Sequence, residues 1–271
     1  FWPRIPDLQD HRLPQSILGI DTGGTFTDLV LMVDGTVTVH KLPSTPDDAS
    51  RAAVDGAASM ALAHDTRVAY GTTVATNALL ERKGAKTALV TTAGFEDVIQ
   101  IGRQARTRLY DLEYHPPDPL VPPELRFGVP ERIAADGATI IPLTDEAIAD
   151  LVRRVTESGA DSVAISLLFS FLYPAHEAAL RDALTNANKA LFVTASSDLL
   201  PEFREFERTS TLVVNAYVGP LMSSYLERLG TQIKRPLTVM QSSGGGASLA
   251  VARREPVRTV LSGPAGGVIG A

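Results

Sequence analysis

The sequence predicts an α/β fold, because apolar strand patterns alternate with amphipathic helix patterns along nearly the whole chain of 271 residues. Hydrophobic residues make up 44% of the chain, which is enough to bury the core of one or two domains. A third observation narrows the choice of α/β fold. An apolar strand at residues 17–20 ends on Asp21, and a glycine-containing turn and a second apolar strand follow directly.

Composition excludes several classes of function. The net charge of −6 and the lack of a long basic run give no reason to expect a nucleic-acid partner. The chain has no cysteine, which excludes disulfides, zinc–thiolate sites and cysteine nucleophiles, and its five histidines lack metal-ligand spacing. The longest apolar run, residues 162–173, is about half of a membrane span. Residues 1–15 show no signal peptide. We therefore expect a cytoplasmic protein without a membrane partner.

The first half of the chain is predicted to consist of strands with helices between them. Strands are predicted at residues 17–20, 29–33, 37–42, 68–70 and 87–91. Helices are predicted at residues 46–64, which begin with acidic residues, and at 74–82 and 94–102. Six prolines between Tyr114 and Pro130 predict a structured excursion or linker there and not a regular element.

The second half continues the alternation. An amphipathic helix is predicted from Thr144 to residue 158, where Gly159 stops it. Further helices are predicted at residues 174–186 and 201–229, the second interrupted at Gly219-Pro220. Strands are predicted at residues 162–169, 191–195, 237–240 and 257–261, with a flexible turn at 242–246. Residues 262–271 read as a turn and the start of a glycine-rich helix, so we expect a truncated chain.

The hairpin loop, defined here as residues 21–25, is the first candidate site. Gly23 and Gly24 allow a positive φ and close approach of a ligand to the backbone. Successive N–H groups in such a turn can bind an anion, and Thr22 and Thr25 add hydroxyl groups. Asp21 fits beside a phosphate if it holds Mg²⁺, directly or through water. The segment lacks the Gly-Lys-Ser/Thr ending of a P-loop and lies between two strands. An ordinary hairpin turn is the alternative.

Two further candidate sites follow. Gly71 gives the backbone conformational freedom after a strand, and Thr72 and Thr73 follow where a helix is predicted to begin. Asn77 lies one helical turn after Thr73, so both side chains can face one site. That helix start could bind an anion or a developing oxyanion; the alternative is a helix capped by its own threonines. Arg103 and Gln104 follow the end of another helix and could hold a carboxylate or an imide carbonyl. A solvated basic loop, continued by arginines 106 and 108, is the alternative there.

Other polar residues favour a structural role. On the long predicted helix, intrahelical ion pairs account for a set of four residues: Arg204, Glu207, Arg208 and Asn215. No Ser-His-Asp set or Cys-His pair points to a conventional hydrolase nucleophile.

Taken together, these motifs resemble the hydantoinase A/5-oxoprolinase family, which includes N-methylhydantoinase-type subunits and is related to acetone and acetophenone carboxylase subunits. The matching segments are residues 21–28, 71–82, 94–98, 101–104, 207–211, 215–220 and 261–267. The resemblance implies the fold of the actin-like ATPase superfamily of sugar kinases, Hsp70 and actin. In that fold two related lobes close on a nucleotide. The chain would then comprise an extension (1–16), the N-terminal domain (17–197) and the beginning of a second domain (198–271).

The resemblance also implies cofactors, substrates and partners. ATP and Mg²⁺ are expected at the hairpin loop, with Asp21 as the metal ligand. The substrate-binding candidates are Thr72, Thr73, Asn77, Arg103 and Gln104, and the catalytic candidates are Asp21, Thr73, Asn77 and Arg103. Hydrolytic members of the family couple ATP cleavage to the opening of a cyclic amide, and the carboxylases activate a ketone or bicarbonate. A second large subunit of the hydantoinase B type is the expected partner, and a homo-oligomer stays open.

Three functions stay open at this point. The favoured one is an ATP-dependent hydrolase of a cyclic amide or imide such as hydantoin or 5-oxoproline. An ATP-dependent ketone carboxylase subunit and a non-catalytic partner-binding lobe are the alternatives. A sugar kinase would share the hairpin loop, but segments 71–82 and 101–104 disfavour it. Because the second phosphate loop of the family is absent from this sequence, we expect the chain by itself to bind Mg-ATP weakly.

Overall fold

The computed structural model describes residues 16–45, 48–105, 110–113 and 117–263. It confirms a mixed α/β architecture and separates into two compact units. Within the described residues, the first unit contains 16–74, 225–252 and 259–263, and the second contains 75–224 and 253–258. In that same part of the chain, no helix is both long enough and apolar enough to cross a membrane.

Twelve strands and eight α-helices, with two short 3₁₀ segments, make up the described chain. In chain order they are β1 (Ser16–Thr22), β2 (Phe26–Val33), β3 (Thr36–Pro43), α1 (Ala49–Ser59), β4 (Arg67–Thr72), α2 (Val74–Leu80), β5 (Thr87–Thr92), α3 (Val98–Ile101), a 3₁₀ turn (Pro123–Leu125), β6 (Arg126–Val129), β7 (Arg132–Ile133), β8 (Thr139–Ile141), α4 (Asp145–Ser158), β9 (Ser162–Ser166), α5 (Ala175–Ala187), β10 (Phe192–Ala195), α6 (Ser196–Leu199), α7 (Glu205–Ile233), β11 (Leu237–Met240), β12 (Gly246–Ser248), α8 (Leu249–Arg254) and a second 3₁₀ turn (Pro256–Thr259).

The first unit is built on a six-stranded sheet in the order β12-β11-β4-β1-β2-β3. The central strands β1, β4 and β11 run parallel, and β2, β3 and β12 are antiparallel to their neighbours. Because side chains alternate along a strand, Leu18, Ile20 and Thr22 of β1 face the buried side of the sheet. Helix α1 contacts β1, β2 and β3. It lies close to β2, since a Cβ atom at Gly56 would stand 2.7 Å from the Leu29 side chain.

The second unit is built on a parallel four-stranded sheet in the order β10-β9-β5-β6. Strand β5 is buried at every position. One core cluster contains Val90, Leu151 and Leu180, and so joins β5 to α4 and α5. Another contains Leu89 and Leu212, and so joins β5 to α7. Helices therefore cover both faces, which explains why these strands read as continuous apolar runs.

Helix α4 confirms its predicted ends. Thr144 is extended and its hydroxyl accepts a hydrogen bond from the Ala147 N–H at 3.2 Å, as an N-cap does. Gly159 takes the left-handed conformation with φ of 64° and closes the helix. Helix α1 is shorter than predicted: it ends at Ser59 and not near His64, and positions 46 and 47 lie outside the described residues.

Three sequence predictions were wrong. The proline-rich segment contains a 3₁₀ turn and the buried strand β6, because Pro122 and Pro123 only precede the residues that pair with β5. Residues 257–261 are not a strand, since a 3₁₀ turn covers Pro256–Thr259. Helix α7 runs without interruption through Pro220. At Gly219 it packs so closely on Phe192 that a Cβ atom would stand 2.3 Å from that ring.

Candidate functional site

The hairpin loop connects β1 to β2 at the centre of the six-stranded sheet. Thr22 and Thr27 form the last cross-strand pair, and the Gly23 N–H donates to the Phe26 carbonyl at 3.0 Å. A Cβ atom at position 23 would stand 3.2 Å from that same carbonyl oxygen, so glycine gives the turn its close fit. Gly24 and Thr25 are exposed. The turn therefore presents open backbone to solvent.

Ser44, which follows β3, holds the hairpin loop in place. Its N–H donates to the Thr25 carbonyl at 2.8 Å, and its hydroxyl donates to the Gly23 carbonyl at 2.7 Å. The same hydroxyl lies 3.0 Å from the hydroxyl of Thr27, whose side chain is buried. Two carbonyl groups of the loop are thus occupied from one side, which fixes the conformation of the turn.

Asp21 lies on the open side of the sheet, opposite Gly71 of β4. A Cβ atom on Gly71 would stand 3.1 Å from an Asp21 carboxylate oxygen, so a glycine leaves room for the carboxylate. Partial burial of the carboxylate raises the pKa of Asp21, and the nearby charge of Asp28 raises it further. The side chain is still exposed. Asp21 is therefore accessible and lies in a locally negative environment.

Thr22 faces the opposite side from Asp21. Its hydroxyl is buried and accepts a hydrogen bond from the Tyr70 hydroxyl at 2.9 Å. Tyr70 also contacts the hydroxyl of Tyr225, and burial raises the pKa of both tyrosines. Any contact between Thr22 and a phosphate would thus be made by its backbone.

The second candidate motif joins the first at the ends of β1 and β4. The Thr73 N–H and hydroxyl both donate to the Thr22 carbonyl, at 3.1 and 3.3 Å. The buried Thr72 hydroxyl accepts from the Val74 N–H at 3.2 Å, immediately before α2 begins. The Ser262 hydroxyl donates to the Thr72 carbonyl at 3.3 Å. Thr72 thus makes a local contact before α2, whereas Thr73 connects the two strand ends.

The remaining predicted site residues belong to the second unit. Asn77 lies in α2 and is half-buried. Arg103 is exposed and pairs with Glu207 of α7, with Nε and Nη2 at 2.7 and 2.5 Å from one carboxylate oxygen. Hydrogen bonding to its own backbone and to Arg103 lowers the pKa of Glu207. Gln104 has a positive φ of 53°. Positions 106 and 108 lie outside the described residues.

The explanation by intrahelical ion pairs was wrong for three of the four residues, and the fourth, Arg204, precedes α7. Glu207 pairs with Arg103, from outside the helix. Arg208 is buried and donates to the carbonyls of Leu167 and Glu202. The Asn215 amide donates to the Thr194 hydroxyl and the Arg254 carbonyl, at 3.2 and 3.1 Å. These side chains thus tie α7 to other segments of the second unit.

Sequence reasoning missed Ser44, Asp28 and Lys41. Lys41 Nζ lies 2.8 Å from one carboxylate oxygen of Asp28 and 3.2 Å from the other. Strand alternation could have placed Lys41 and Asp28 on one face, but only the register of the hairpin shows that they are paired. Among the residues that the structure describes, no group of three or more histidine, aspartate or glutamate side chains could hold a metal ion. Asp21 stays a predicted metal ligand, and no such group of side chains surrounds it among the described residues.

Comparisons with known proteins extend over most of the chain. Residues 17–187 match the family model described as the hydantoinase/oxoprolinase N-terminal region, and residues 208–271 match the one described as hydantoinase/oxoprolinase. The chain is 39% identical to the caprolactamase subunit alpha of Pseudomonas jessenii, over 92% of this chain and 38% of that protein. It is 33% identical to 5-oxoprolinase 1 of Arabidopsis thaliana, over 93% of this chain and 23% of that protein.

Two solved structures share this architecture. The ATP-dependent caprolactamase from Pseudomonas jessenii superposes with a TM-score of 0.82 at 37% identity, over 92% of this chain and 39% of that one. Nucleotide-free acetone carboxylase superposes with a TM-score of 0.84 at 32% identity, over 95% of this chain and 40% of that one. The chain therefore spans two fifths or less of the length of these relatives.

Proposed function

The chain belongs to the hydantoinase/oxoprolinase family, and from this we propose that it is part of an ATP-dependent hydrolase that activates the carbonyl group of a cyclic amide or imide for ring opening. The observation that carries the proposal is the hairpin loop, which begins with Asp21 and lies at the ends of two parallel strands. The names of two relatives, caprolactamase and 5-oxoprolinase, support a lactam-type ring of the hydantoin or 5-oxoproline kind.

We further propose that the fold is that of the actin-like ATPases, and that the first unit contains the first phosphate site. The position of the loop in a central β-hairpin supports this. The residues fit a phosphate group, because Gly23 allows the tight turn, Gly71 leaves room for the Asp21 carboxylate, and the backbone of Gly24 and Thr25 is open. Asp21 would hold Mg²⁺, which proteins bind through one or two carboxylates together with substrate phosphates.

The chemistry that ATP supplies is phosphorylation of the amide carbonyl oxygen, which turns a poor leaving oxygen into a good one. The chain itself supplies positioning. Ser44 keeps the loop carbonyls occupied, and Thr73 holds the ends of β1 and β4 together. Arg103 and Gln104 are proposed to bind a carboxylate or carbonyl of the substrate. Because Arg103 now pairs with Glu207, a substrate carboxylate would have to share or replace that partner.

A second candidate is an ATP-dependent ketone carboxylase. The superposition on acetone carboxylase favours it, with a TM-score of 0.84. The hydrolase is preferred because sequence identity is higher to the caprolactamase structure, 37% against 32%. Dependence of ADP release on bicarbonate separates the two activities.

A large partner subunit of the hydantoinase B type is also proposed. Relatives named as an alpha subunit and a beta subunit support the existence of partner chains. Purification of the native protein followed by mass spectrometry of the complex tests it. A stable complex that forms without nucleotide, in a protein that releases no ADP, would instead support a non-catalytic partner-binding lobe.

The test of the proposed activity is ADP release from Mg-ATP by the natural protein that contains this sequence. The panel is hydantoin, 5-oxoproline, caprolactam, and a ketone with bicarbonate. Stimulation by a cyclic amide is the expected result, and stimulation by the ketone with bicarbonate alone would move the assignment to the carboxylase. Asp21→Ala should abolish ADP release in a folded protein. Arg103→Ala should raise KM for the ring substrate more than KM for ATP, and an unchanged substrate KM would remove Arg103 from the site.

A further inference from the structure

The hairpin loop offers backbone N–H groups and the exposed side chain of Thr25 to a phosphate, but it contains no cation. Asp21 and Asp28 face each other across β1 and β2. Like charges placed directly opposite on a sheet disfavour each other, and both repel the phosphate groups of a nucleotide. Mg²⁺ at Asp21 would offset part of this charge. A triphosphate carries several negative charges, so a further cation near the loop would improve its binding.

The register of the sheet places a lysine in the same row. Asp28 pairs with Lys41 of β3 and with Asp21 of β1, and Asp21 pairs with Gly71 of β4. We call these four positions the strand-end row. Directly paired residues share one face of a sheet, so their side chains project from the same side. Neighbouring strands are about 4.8 Å apart, and Lys41 and Asp21 are separated by two such steps. The strand-end row therefore combines two carboxylates with one ammonium group.

Lys41 is held in a defined position although it is exposed. Its ammonium group contacts both carboxylate oxygens of Asp28, at 2.8 and 3.2 Å. It also lies 4.9 Å from the centre of the Phe26 ring, in a cation–π arrangement. Phe26 is the first residue of β2 after the hairpin loop. The ammonium group thus lies beside Asp28 and the first residue after the loop.

Strand β3 is connected to the loop by more than Lys41. Ser44, three residues further along the chain, bonds the carbonyls of Gly23 and Thr25. The loop and the segment that carries Lys41 are therefore joined at two points, through Asp28 and through Ser44. A lysine on an independent surface segment would lack this coupling.

We propose that Lys41 is the phosphate-binding cation of the hairpin loop and that Asp28 is the residue that positions it. This inference rests on the proposed function. Lysine is a compact charge on a flexible four-carbon stem, so its ammonium group can turn from Asp28 toward a phosphate oxygen while its backbone stays in β3. With Lys41 present, the row keeps one net negative charge, which a divalent cation reverses. Without Lys41, two carboxylates face the phosphates.

The experiment compares ligand binding by four folded forms of the natural protein that contains this sequence, measured by ligand-observed NMR titration with Mg-ATP, inorganic triphosphate with Mg²⁺, and adenosine. Lys41→Met removes the charge and keeps an apolar stem, and Lys41→Arg keeps the charge. Lys83→Met is the matched control, because Lys83 is also exposed and also pairs with a carboxylate, that of Glu81 at 2.7 Å. Thermal melting confirms that each protein is folded.

The expected result is about tenfold or greater loss of affinity for ATP and triphosphate in Lys41→Met, with adenosine binding unchanged. Lys41→Arg should stay within about threefold of the unchanged protein and Lys83→Met within about twofold, because a charge at position 41 is what matters. Binding of triphosphate by Lys41→Met within twofold of the unchanged protein overturns the inference and leaves the proposed function intact. An equal loss in Lys41→Met and Lys83→Met also overturns it. Failure of the unchanged protein to bind any triphosphate refutes the proposed phosphate site itself.

Discussion

Replacing Ser44 with alanine should weaken nucleotide binding without a direct loss of a ligand contact. The change removes the hydroxyl that donates to the Gly23 carbonyl at 2.7 Å and lies 3.0 Å from the Thr27 hydroxyl. The backbone bond from position 44 to the Thr25 carbonyl remains. Losing the first hydrogen bond costs about 1 kcal/mol, and leaving the buried Thr27 hydroxyl without this partner costs about another 1 kcal/mol.

A total near 2 kcal/mol sets the scale of both effects. It should lower the melting temperature of the first unit by roughly 8–16 °C. If all of it were spent in reordering the loop on binding, affinity for Mg-ATP would fall by up to about thirtyfold. We therefore expect a loss of affinity that is measurable but smaller than about thirtyfold, because part of the 2 kcal/mol lowers the stability of the free protein and does not affect binding.

Calorimetric melting and an ATP titration measure the two quantities on the same samples. Ser59→Ala is the matched control, because the Ser59 hydroxyl also donates to a glycine carbonyl at 2.7 Å, that of Gly56, away from the loop. The control should lose stability but keep its affinity, and Ser44→Thr should restore most of both. If Ser44→Ala bound Mg-ATP as tightly as Ser59→Ala, the loop would not depend on Ser44 and the reasoning would be refuted.

Three further outcomes are expected. Gly71→Ala should weaken Mg-ATP binding, because its Cβ atom would stand 3.1 Å from the Asp21 carboxylate; Gly19→Ala, whose Cβ would have its nearest neighbour at 3.8 Å, should bind normally in the same titration. Asp48→Ala should cost about 1 kcal/mol in urea unfolding at neutral pH, because Asp48 caps α1. A hydrogen bond to its side chain lowers the pKa of Asp48 in the folded state from 3.8, so the part of this contribution that depends on the ionised carboxylate should be complete above about pH 4 and decrease as the pH falls through the lowered pKa; a difference that does not decrease toward pH 2 would contradict it. Glu177→Ala should lower stability by at least about 3 kcal/mol, because its buried carboxylate accepts three hydrogen bonds, and melting near the unchanged temperature would count against that network.

Local signals in the sequence were sufficient where one segment determines its own structure. Both ends of helix α4 were predicted correctly, because Thr144 and Gly159 each act on the turn of the helix next to them. The hairpin around the candidate loop was predicted because apolar runs flank two glycines. Strand β6 was missed because prolines dominate its neighbourhood, whereas its strand character depends on pairing with β5. Propensity could not show that pairing.

The polar residues of α7 also show that a local sequence pattern does not reveal contacts with distant segments. Spacing on a helix indicates which side chains share a face, but it does not reveal what lies opposite them. Arg208 and Asn215 have partners more than 20 residues away in the chain or in segments without regular structure. Glu207 pairs with a residue 104 positions away. An explanation confined to the helix was therefore bound to choose the wrong partners.

The candidate site depends on the core of the first unit more than on its exposed loop. Asp21 belongs to a central strand whose alternate residues, Leu18 and Ile20, are buried, and this burial determines which way Asp21 points. A shift of one residue in the register of β1 would turn Asp21 inward and expose Thr22, whose hydroxyl now bonds Tyr70. The Tyr70 bond therefore acts against that shift. The orientation of Asp21 therefore depends on the buried side of the sheet. Substitutions of those buried residues should weaken ligand binding although they do not contact the ligand.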